Sequence, residues 1–578
     1  MLNIQRRHAP ENTSNLNQFN PIIRRIYAGR GITSQEEIKR SAGQLLPVTS
    51  MTGITSACEV LYDVMQKNQH ITIVGDFDAD GATSTALMIL GLKKLGFARV
   101  DYKVPNRFDY GYGLSPALTE EIIATGTDVI ITVDNGISCL QGVALAKEAG
   151  LKVIVTDHHL PGKTLPNADA IVNPNQAACE FASKNLAGVG VAFYLLLGLR
   201  AHLRQENWFT THGVQEPNLA ELLDLVALGT VADVVQLDSN NRILVHQGLA
   251  RIQKGVCRPG IKAILQIANK DAKSVKASDF GFAIGPRLNA AGRLDDMSYG
   301  IRCLLTDDYG QALKMAEDLN GLNTERKEIE QGMRIEAEAA VNTLTITDGS
   351  LPNGICVYEP DWHQGVIGIV AGRIKEKFYR PTIAFAKGDA NEAGQIELKG
   401  SARSIQGVHI RDVLDEVNTR FPGLITKFGG HAMAAGLSLY ESKLNEFKQA
   451  FDLVLSEHLS EEVLTQVTLT DGNLPSEYLT MEFCQELNQA GPWGQGFAEP
   501  TFDDEFEIIN QRLVGAKHLK LVLTNDFGLV VDAIHFNADL NVWPNPNQTR
   551  ARLVYQLDIN EFRGRSNLQL LVQQMAPV

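Results

Sequence analysis

From residue 71 onward the hydrophobic positions of this chain alternate between two periods. Residues 71–74 (Ile-Thr-Ile-Val) form a β-branched run, and residues 82–95 carry Ala, Leu and Met at helical spacing. The unit returns at 100–104 then 118–124, at 129–133 then 140–149, and at 151–156 then 170–172. Alternating buried-strand and helix signals predict parallel βαβ units. Residues 185–300 read as mostly helical, and residues 309–344 as one long charged helix without proline. A second α/β pattern follows, with strands over 354–358 and 381–385 and a helix over 366–378. From Val467 the spacing shortens and strand signals dominate, which predicts a small terminal β-barrel. Residues 1–60 are polar and irregular, with helical patches.

The fold class expected is therefore α/β with a C-terminal barrel. The boundaries expected are an extension over 1–60, a parallel-sheet domain over 61–308 and a connector helix over 309–345. A smaller α/β domain over 346–460 and the barrel over 461–578 complete the chain. A length of 578 residues is too great for one core and fits this division.

Composition narrows the reading only a little. Apolar content of 44% and charged content of 21% are those of a soluble globular protein. The net charge of −14 weighs mildly against a nucleic-acid partner, because the overall field repels a polyanion. Local basic grooves and bound metals would have to supply the attraction. Seven scattered cysteines form no CxxC and fit buried thiols in a reducing compartment. The first residues lack the apolar core of a secretion signal, and the longest apolar stretch, 189–199, is short of the ~20 residues that span a bilayer. A cytoplasmic protein is expected, with no membrane partner.

The candidate chemistry lies in four short segments: Asp76-Phe-Asp78-Ala-Asp80-Gly81, Asp134-Asn-Gly136, Asp157-His158-His159 and Asp233. The first three follow predicted strands, and in open parallel sheets ligands sit beyond the carboxyl ends of the strands. Five or more carboxylates and two imidazoles exceed what one structural metal needs. They match a site holding two divalent cations ~3.5–4 Å apart for phosphoryl transfer. Mg²⁺ and Mn²⁺ prefer oxygen ligands, and Mn²⁺ also accepts imidazole. Asp78 and Asp80, two apart in an extended loop, suit different metals. Asp134 suits the bridging position, His158 and Asp233 suit ligation, and Asp157 suits the orientation of an imidazole. Any one Asp at a strand end is more often a helix cap or turn residue. The four segments taken together favour the metal site. Asp76-Phe-Asp78 also fits the loose DxD of haloacid-dehalogenase-type phosphatases, which would not require Asp-His-His. Gly188-Val-Gly190 is a poor dinucleotide loop, lacking a third glycine, and reads as tight helix packing.

These segments resemble the DHH phosphoesterase superfamily. Gly400-Ser401-Ala-Arg403-Ser404 and Gly429-Gly430-His431 resemble its substrate-binding companion domain, of DHHA1 type. Pro105-Asn-Arg107, Gly285-Pro-Arg287-Leu-Asn289-Ala-Ala-Gly292-Arg293 and Gly491-Pro-Trp-Gly-Gln-Gly496 narrow the likeness, with the barrel, to its single-strand-specific DNA exonucleases. It extends from about residue 50 to the end of the sequence.

The resemblance implies 5′-to-3′ digestion of single-stranded DNA to mononucleotides with Mg²⁺ or Mn²⁺, in recombination and mismatch repair. It also implies a monomer working beside a helicase and a single-strand-binding protein. The implied metal ligands are Asp78, Asp80, Asp134, His158 and Asp233, with His159 near the scissile phosphate. Many relatives place His where Val74 stands, so Asp76 is expected to compensate at the first metal. Arg107, Arg287, Ser401, Arg403, Gly430 and His431 are the implied DNA-binding residues. In the barrel region Trp493, Phe497, Phe502 and Phe506 could stack bases, although core packing is the plainer reading of each. Lys517, His518 and Lys520 could meet phosphates. The alternatives are a small-molecule phosphoesterase of the same superfamily (oligoribonuclease, pyrophosphatase or cyclic-dinucleotide hydrolase) and a non-catalytic strand-binding scaffold.

Overall fold

A computed structural model describes residues 2–10, 14–106, 111–348, 350–391, 393–562 and 564–578. The chain divides into two compact units. One comprises Met1–Asn320 together with Leu469–Val578, and the other comprises Gly321–Thr468. Among the described residues no helix is long and apolar enough to cross a membrane.

The first unit opens on strand β1 (Ile4–Arg6), where an irregular extension is expected. The parallel sheet follows as β2 (Ile71–Val74), β3 (Val100–Lys103), β4 (Val129–Val133), β5 (Lys152–Thr156) and β6 (Ala170–Val172). Its order is β3-β2-β4-β5-β6, and every pairing is parallel. β2 and β4 are buried along their whole length, as continuous β-branched runs require when helices cover both faces. After β3 the chain crosses back over β2 to place β4 on its other side. The order thus reverses between β2 and β4, and a crevice forms there beyond the carboxyl ends. Helices then dominate residues 188–305, as the apolar periodicity predicts.

The second unit holds β7 (Ile355–Tyr358), β8 (Thr382–Ala390), β9 (Ile396–Arg403), β10 (Lys427–Gly430) and β11 (Ala434–Tyr440) in the order β10-β11-β9-β8-β7. Only β7 and β8 run parallel; the other pairings are antiparallel. Phe385, Phe447 and Phe451 centre its core. The charged helix runs over Tyr309–Asp348 and enters this unit from the first.

The chain returns to the first unit with β12 (Thr468–Thr470), which pairs with β1. The closed barrel is β13 (Phe502–Val514), β14 (His518–Thr524), β15 (Val530–His535), β16 (Arg550–Phe562) and β17 (Arg565–Pro577). Core packing, the plainer reading of the aromatics of this region, holds for three of the four, while Trp493 is half-buried. Phe497, Phe502 and Phe506 are all buried. Trp493 stacks on Phe497 at 4.9 Å beneath the Arg30 guanidinium. These rings fill the barrel core and its junction with the N-terminal helix. Of the basic cluster, Lys520 is paired with Asp532 at 2.8 Å, so its charge is already committed.

The extension is held to the segment after β12 and to the barrel by ion pairs on buried carboxylates. Arg30 grips Asp471 with two parallel hydrogen bonds of 2.7 and 3.1 Å, and both side chains are buried. Asp503, also buried, accepts from Arg6, Arg552 and Thr470. This long-range pairing orders a stretch whose own pattern reads as irregular. Removing one partner of a buried pair strands the other charge and costs about 3–5 kcal/mol. Asp471→Ala should therefore lower the calorimetric unfolding temperature and expose residues 1–30 to limited proteolysis, while Leu469→Ala on the exposed edge should do neither.

Candidate metal centre

Three loops leave the carboxyl edge of the sheet beside the β2/β4 crevice. After β2, Asp76 accepts from the Phe77 N–H, and Asp78 caps the helix Ala79–Leu95 by accepting from Gly81 N–H. An extended loop through Asp80 is the expectation. The helix instead begins at Ala79, so Asp80 lies in its first turn, fully buried. Its carboxylate accepts from the Gly188 and Val189 amides at 2.6 and 2.9 Å. Those amides open the helix Gly188–Gln205, whose N-terminus favours a negative charge.

After β4, Asp134 adopts a left-handed backbone with φ +62°, which turns its side chain back over the sheet edge. Asn135 fixes that turn by donating to the carbonyls of Val74 and Val133. After β5, Asp157 is the hub of its loop. One oxygen accepts from His158 N–H, His159 N–H and His159 Nδ1, the last at 2.7 Å. The other accepts from Ile137 N–H. Asp157 therefore orients an imidazole, and the ring it orients is His159. Asp233 arrives from elsewhere, as the C-cap of the helix Leu223–Ala232.

The side chains converge. Asp80, His158 and Asp233 present ligand atoms within 4.8 Å of one another. So do Asp134, His158 and His159, and so do Asp76, Asp78 and Asp134. Asp134 belongs to two of these groups and His158 to two. Val74 packs into an apolar cluster with Leu114 and Ile130, while the Asp76 carboxylate sits within reach of Asp78 and Asp134.

Asp134 Oδ1, His158 Nε2 and Asp233 Oδ2 are buried and make no hydrogen bond, although His158 Nε2 lies 3.2 Å and 3.5 Å from the two oxygens. Buried polar atoms are nearly always paired. Orphaned oxygen and nitrogen donors aimed at one point are the arrangement that a cation satisfies. The donor set, carboxylates with one or two imidazoles, suits Mg²⁺ or Mn²⁺.

Electrostatics follow from crowding. Burial and the Asp233 charge raise Asp80 to about 7. Burial and the Asp78 charge raise Asp233 to about 8. Burial and the Asp80 charge push Asp134 well up. Burial and the neighbouring His159 charge lower His158, which favours the neutral imidazole that a metal would need. For His159, burial pulls the pKa down, but the hydrogen bond and charge of Asp157 outweigh it and raise the ring to about 9.

Sequence reasoning missed the groups that hold these side chains. Gly188 is one: a Cβ there would stand 2.5 Å from the Asp134 Cβ, so only glycine lets the helix end approach. It reads from sequence as packing, and the packing is against a candidate ligand. Asn289 accepts from Ala79 N–H at 2.7 Å, and a Cβ on Gly292 would stand 1.8 Å from the Phe77 carbonyl. The 285–293 motif therefore clamps the acidic loop. Asn173 and Asn175, just past β6, donate to the carbonyls of His159 and His158. Their signal was an Asn-Pro-Asn at the next strand end. Tyr112 donates to the Asp134 carbonyl and lies edge-on to His159.

The remaining expected residues fall elsewhere. Arg287 bonds Asn320 and the Ala283 carbonyl within the first unit. In the second unit Ser401, Arg403, Gly430 and His431 share one corner. Arg403 donates to Ser401 Oγ at 3.0 Å, Ala434 lies opposite Arg403 across the β9–β11 ladder, and Gly430 leads into the turn that closes at Ala434. Among the described residues no carboxylate pairs with Arg403, whose pKa burial alone lowers. Gly368, in the first turn of the helix Ile367–Phe378, stands against Arg403 and Ser401. Arg107 lies outside the described residues.

A parallel sheet with clustered carboxylates and imidazoles at its switch point defines a DHH-type metal-dependent phosphoesterase. Comparison agrees: residues 70–230 match the DHH family N-terminal domain, 352–457 the DHHA1 domain and 470–574 the RecJ OB domain. The chain is 52% identical to the single-stranded-DNA-specific exonuclease RecJ of Escherichia coli over 100% of this chain and 99% of that one. It is 50% identical to the Haemophilus influenzae protein of the same name over 100% and 99%. The crystal structure of RecJ in complex with Mn²⁺ from Thermus thermophilus superposes with a TM-score of 0.81 at 28% identity, over 99% of this chain and 79% of that one. This chain belongs to the RecJ family of single-stranded-DNA-specific exonucleases.

The raised carboxyls link metal, protons and stability. Their ordinary value is 3.8, so the metal-free fold binds more protons than the unfolded chain up to about pH 8. Their stabilising contribution is complete below about pH 4 and is lost as pH rises through 7 to 8. The metal-free protein should thus melt at lower temperature at pH 8.5 than at pH 6. Mn²⁺ binding at pH 7 should release protons, seen in calorimetry as a heat that scales with buffer ionisation enthalpy; no such dependence would show that these carboxyls are already ionised.

Proposed function

We propose that this protein hydrolyses single-stranded DNA from the 5′ end to mononucleotides, using two divalent cations, Mg²⁺ or Mn²⁺. The observation that carries the reading is the convergence of orphaned donors from Asp134, His158 and Asp233 beside Asp76, Asp78 and Asp80. Asp80, His158 and Asp233 would hold one cation and Asp76 and Asp78 the other, with Asp134 between them. When bound, the cations activate water near neutral pH and neutralise charge gathering on the phosphorus.

The protein's own groups do the rest. Gly188 and Val189 fix the Asp80 carboxylate, and Asn135 fixes Asp134. Asp157 keeps His159 protonated at neutral pH, so that ring can hold a proton against an oxygen of the scissile phosphate. Ser401 Oγ, the Arg403 guanidinium and the nearby helix start form an anion-binding corner suited to a terminal 5′-phosphate. Gly430 and His431 border it. Arg287 is a further phosphate contact from the first unit. Mismatch repair and recombination, with a helicase and a single-strand-binding protein supplying substrate, fit an enzyme that consumes displaced strands. We place it in the cytoplasm as a monomer.

End-labelled single-stranded DNA, duplex and a dinucleotide, each incubated with Mg²⁺, separate this reading from a small-molecule phosphoesterase and from a passive scaffold. Mononucleotide release from single strands alone is expected. Asp134→Ala should cut turnover by at least about 10²–10³-fold with Mn²⁺ present, the loss typical of removing one transition-state stabiliser; near-normal turnover would refute its role. Arg403→Ala should raise KM for 5′-phosphorylated ends more than for 5′-hydroxyl ends, and an equal effect on both would remove the phosphate from that corner.

A further inference from the structure

The segment that clamps the acidic loop also carries an unexplained aromatic. Between the short helix Ala277–Asp279 and the helix Gly285–Leu294 the chain makes a π-helical turn over Phe280–Ile284. Such turns insert a residue against the helical hydrogen-bond ladder and occur mostly where a side chain must be re-aimed. Here Phe280, Ala283 and Ile284 are buried, while Phe282 points outward and is 86% exposed. The turn rests on the end of the helix that delivers Asp233. A Cβ on Gly281 would touch Val231, and one on Gly285 would stand 3.3 Å from Ala232.

The next residue along that helix end, Val234, is 63% exposed and holds φ at +62°. A β-branched residue in the left-handed region is a true outlier, and such strain gathers at functional sites. One residue after a candidate ligand, the chain is thus bent so that an apolar side chain faces solvent. Arg287, the phosphate candidate, ties its guanidinium to the Ala283 carbonyl of the same turn. The candidate metal ligand Asp233, the exposed aromatic and the phosphate candidate Arg287 therefore sit on two elements in direct contact.

We propose that Phe282 is a stacking platform for a base of the DNA strand entering the metal centre. The inference rests on the nuclease reading above. A phosphodiester backbone drawn to a cation at Asp233 and to the Arg287 guanidinium would pass the turn that joins those two elements. A flat ring with no hydrogen-bonding groups suits an enzyme that must pass every sequence, because every base has a π-face. Phe282 thus acts on binding and register, as a positioning residue, and leaves the chemical step to the carboxylates.

The test is steady-state degradation of labelled single strands with Mn²⁺ by the full-length protein and its Phe282→Ala and Phe282→Trp variants. Phe282→Ala should raise KM about 5- to 100-fold, the range of one lost base–aromatic stack, with kcat within a few-fold of the parent. Phe282→Trp should restore KM. Strands with one abasic residue, moved position by position from the 5′ end, give a second readout. At one position the parent should lose as much as Phe282→Ala loses on the intact strand, and there Phe282→Ala should lose nothing more. Unchanged KM, or an equal loss on every abasic strand, would overturn the platform while leaving the nuclease standing. Failure of the parent to release any mononucleotide would remove the nuclease and the platform together.

Discussion

Mutual repulsion among carboxylates at the rim of a parallel sheet is the constraint that the rest of the site answers. Asp76, Asp78, Asp80, Asp134 and Asp233 crowd together, and burial, reinforced by their shared field, pushes Asp80, Asp134 and Asp233 up from the ordinary carboxylate range. Such a cluster costs free energy in any fold, and it persists only where surrounding groups over-determine it. The amides of Gly188 and Val189, the side chains of Asn135 and Asn289, and the hub of Asp157 are those groups. Each is a short, directed hydrogen bond to a loop that would otherwise spring apart.

The same constraint explains the placement of the helices. The Gly188–Gln205 helix ends against Asp80 and Asp134, and the Gly285–Leu294 helix lies on the Phe77 carbonyl. Both approaches need a residue without a Cβ. Small residues at these two points are therefore part of the electrostatics, since a few tenths of an ångström decide whether an amide can reach a carboxylate.

Much of this was legible in the sequence. The parallel sheet followed from β-branched runs separated by helical periods, and the ligand segments stood where strands end. That left Asp80 in a loop, because two acidic residues around one Ala carry no sign of where a helix begins; burial and the Gly188 amide decide it. Asp233 followed no predicted sheet strand and was read only in company with the other ligand segments, since a lone Asp at a helix end carries no signal of its own. The clamps were not legible, because Asn and Gly are as common in turns as in such roles, and their partners lie far away in sequence. Asn289 meets Ala79 across 210 positions. The aromatics at 497, 502 and 506 illustrate the opposite hazard, a base-stacking composition that serves only to fill a barrel.

The union of β1 with β12 has a bearing on how the polypeptide leaves the ribosome. Arg6 finds Asp503 only after 497 further positions. The second unit, contiguous from Gly321 to Thr468, is complete while the first still lacks its closing portion. Synthesis therefore delivers the inserted lobe before its host is sealed, and the earliest residues must wait, unpartnered, for nearly the last. A nascent chain whose translation stops before β12 carries Asp76, Asp78, Asp80, Asp134 and Asp233 and yet leaves its opening strand without a mate.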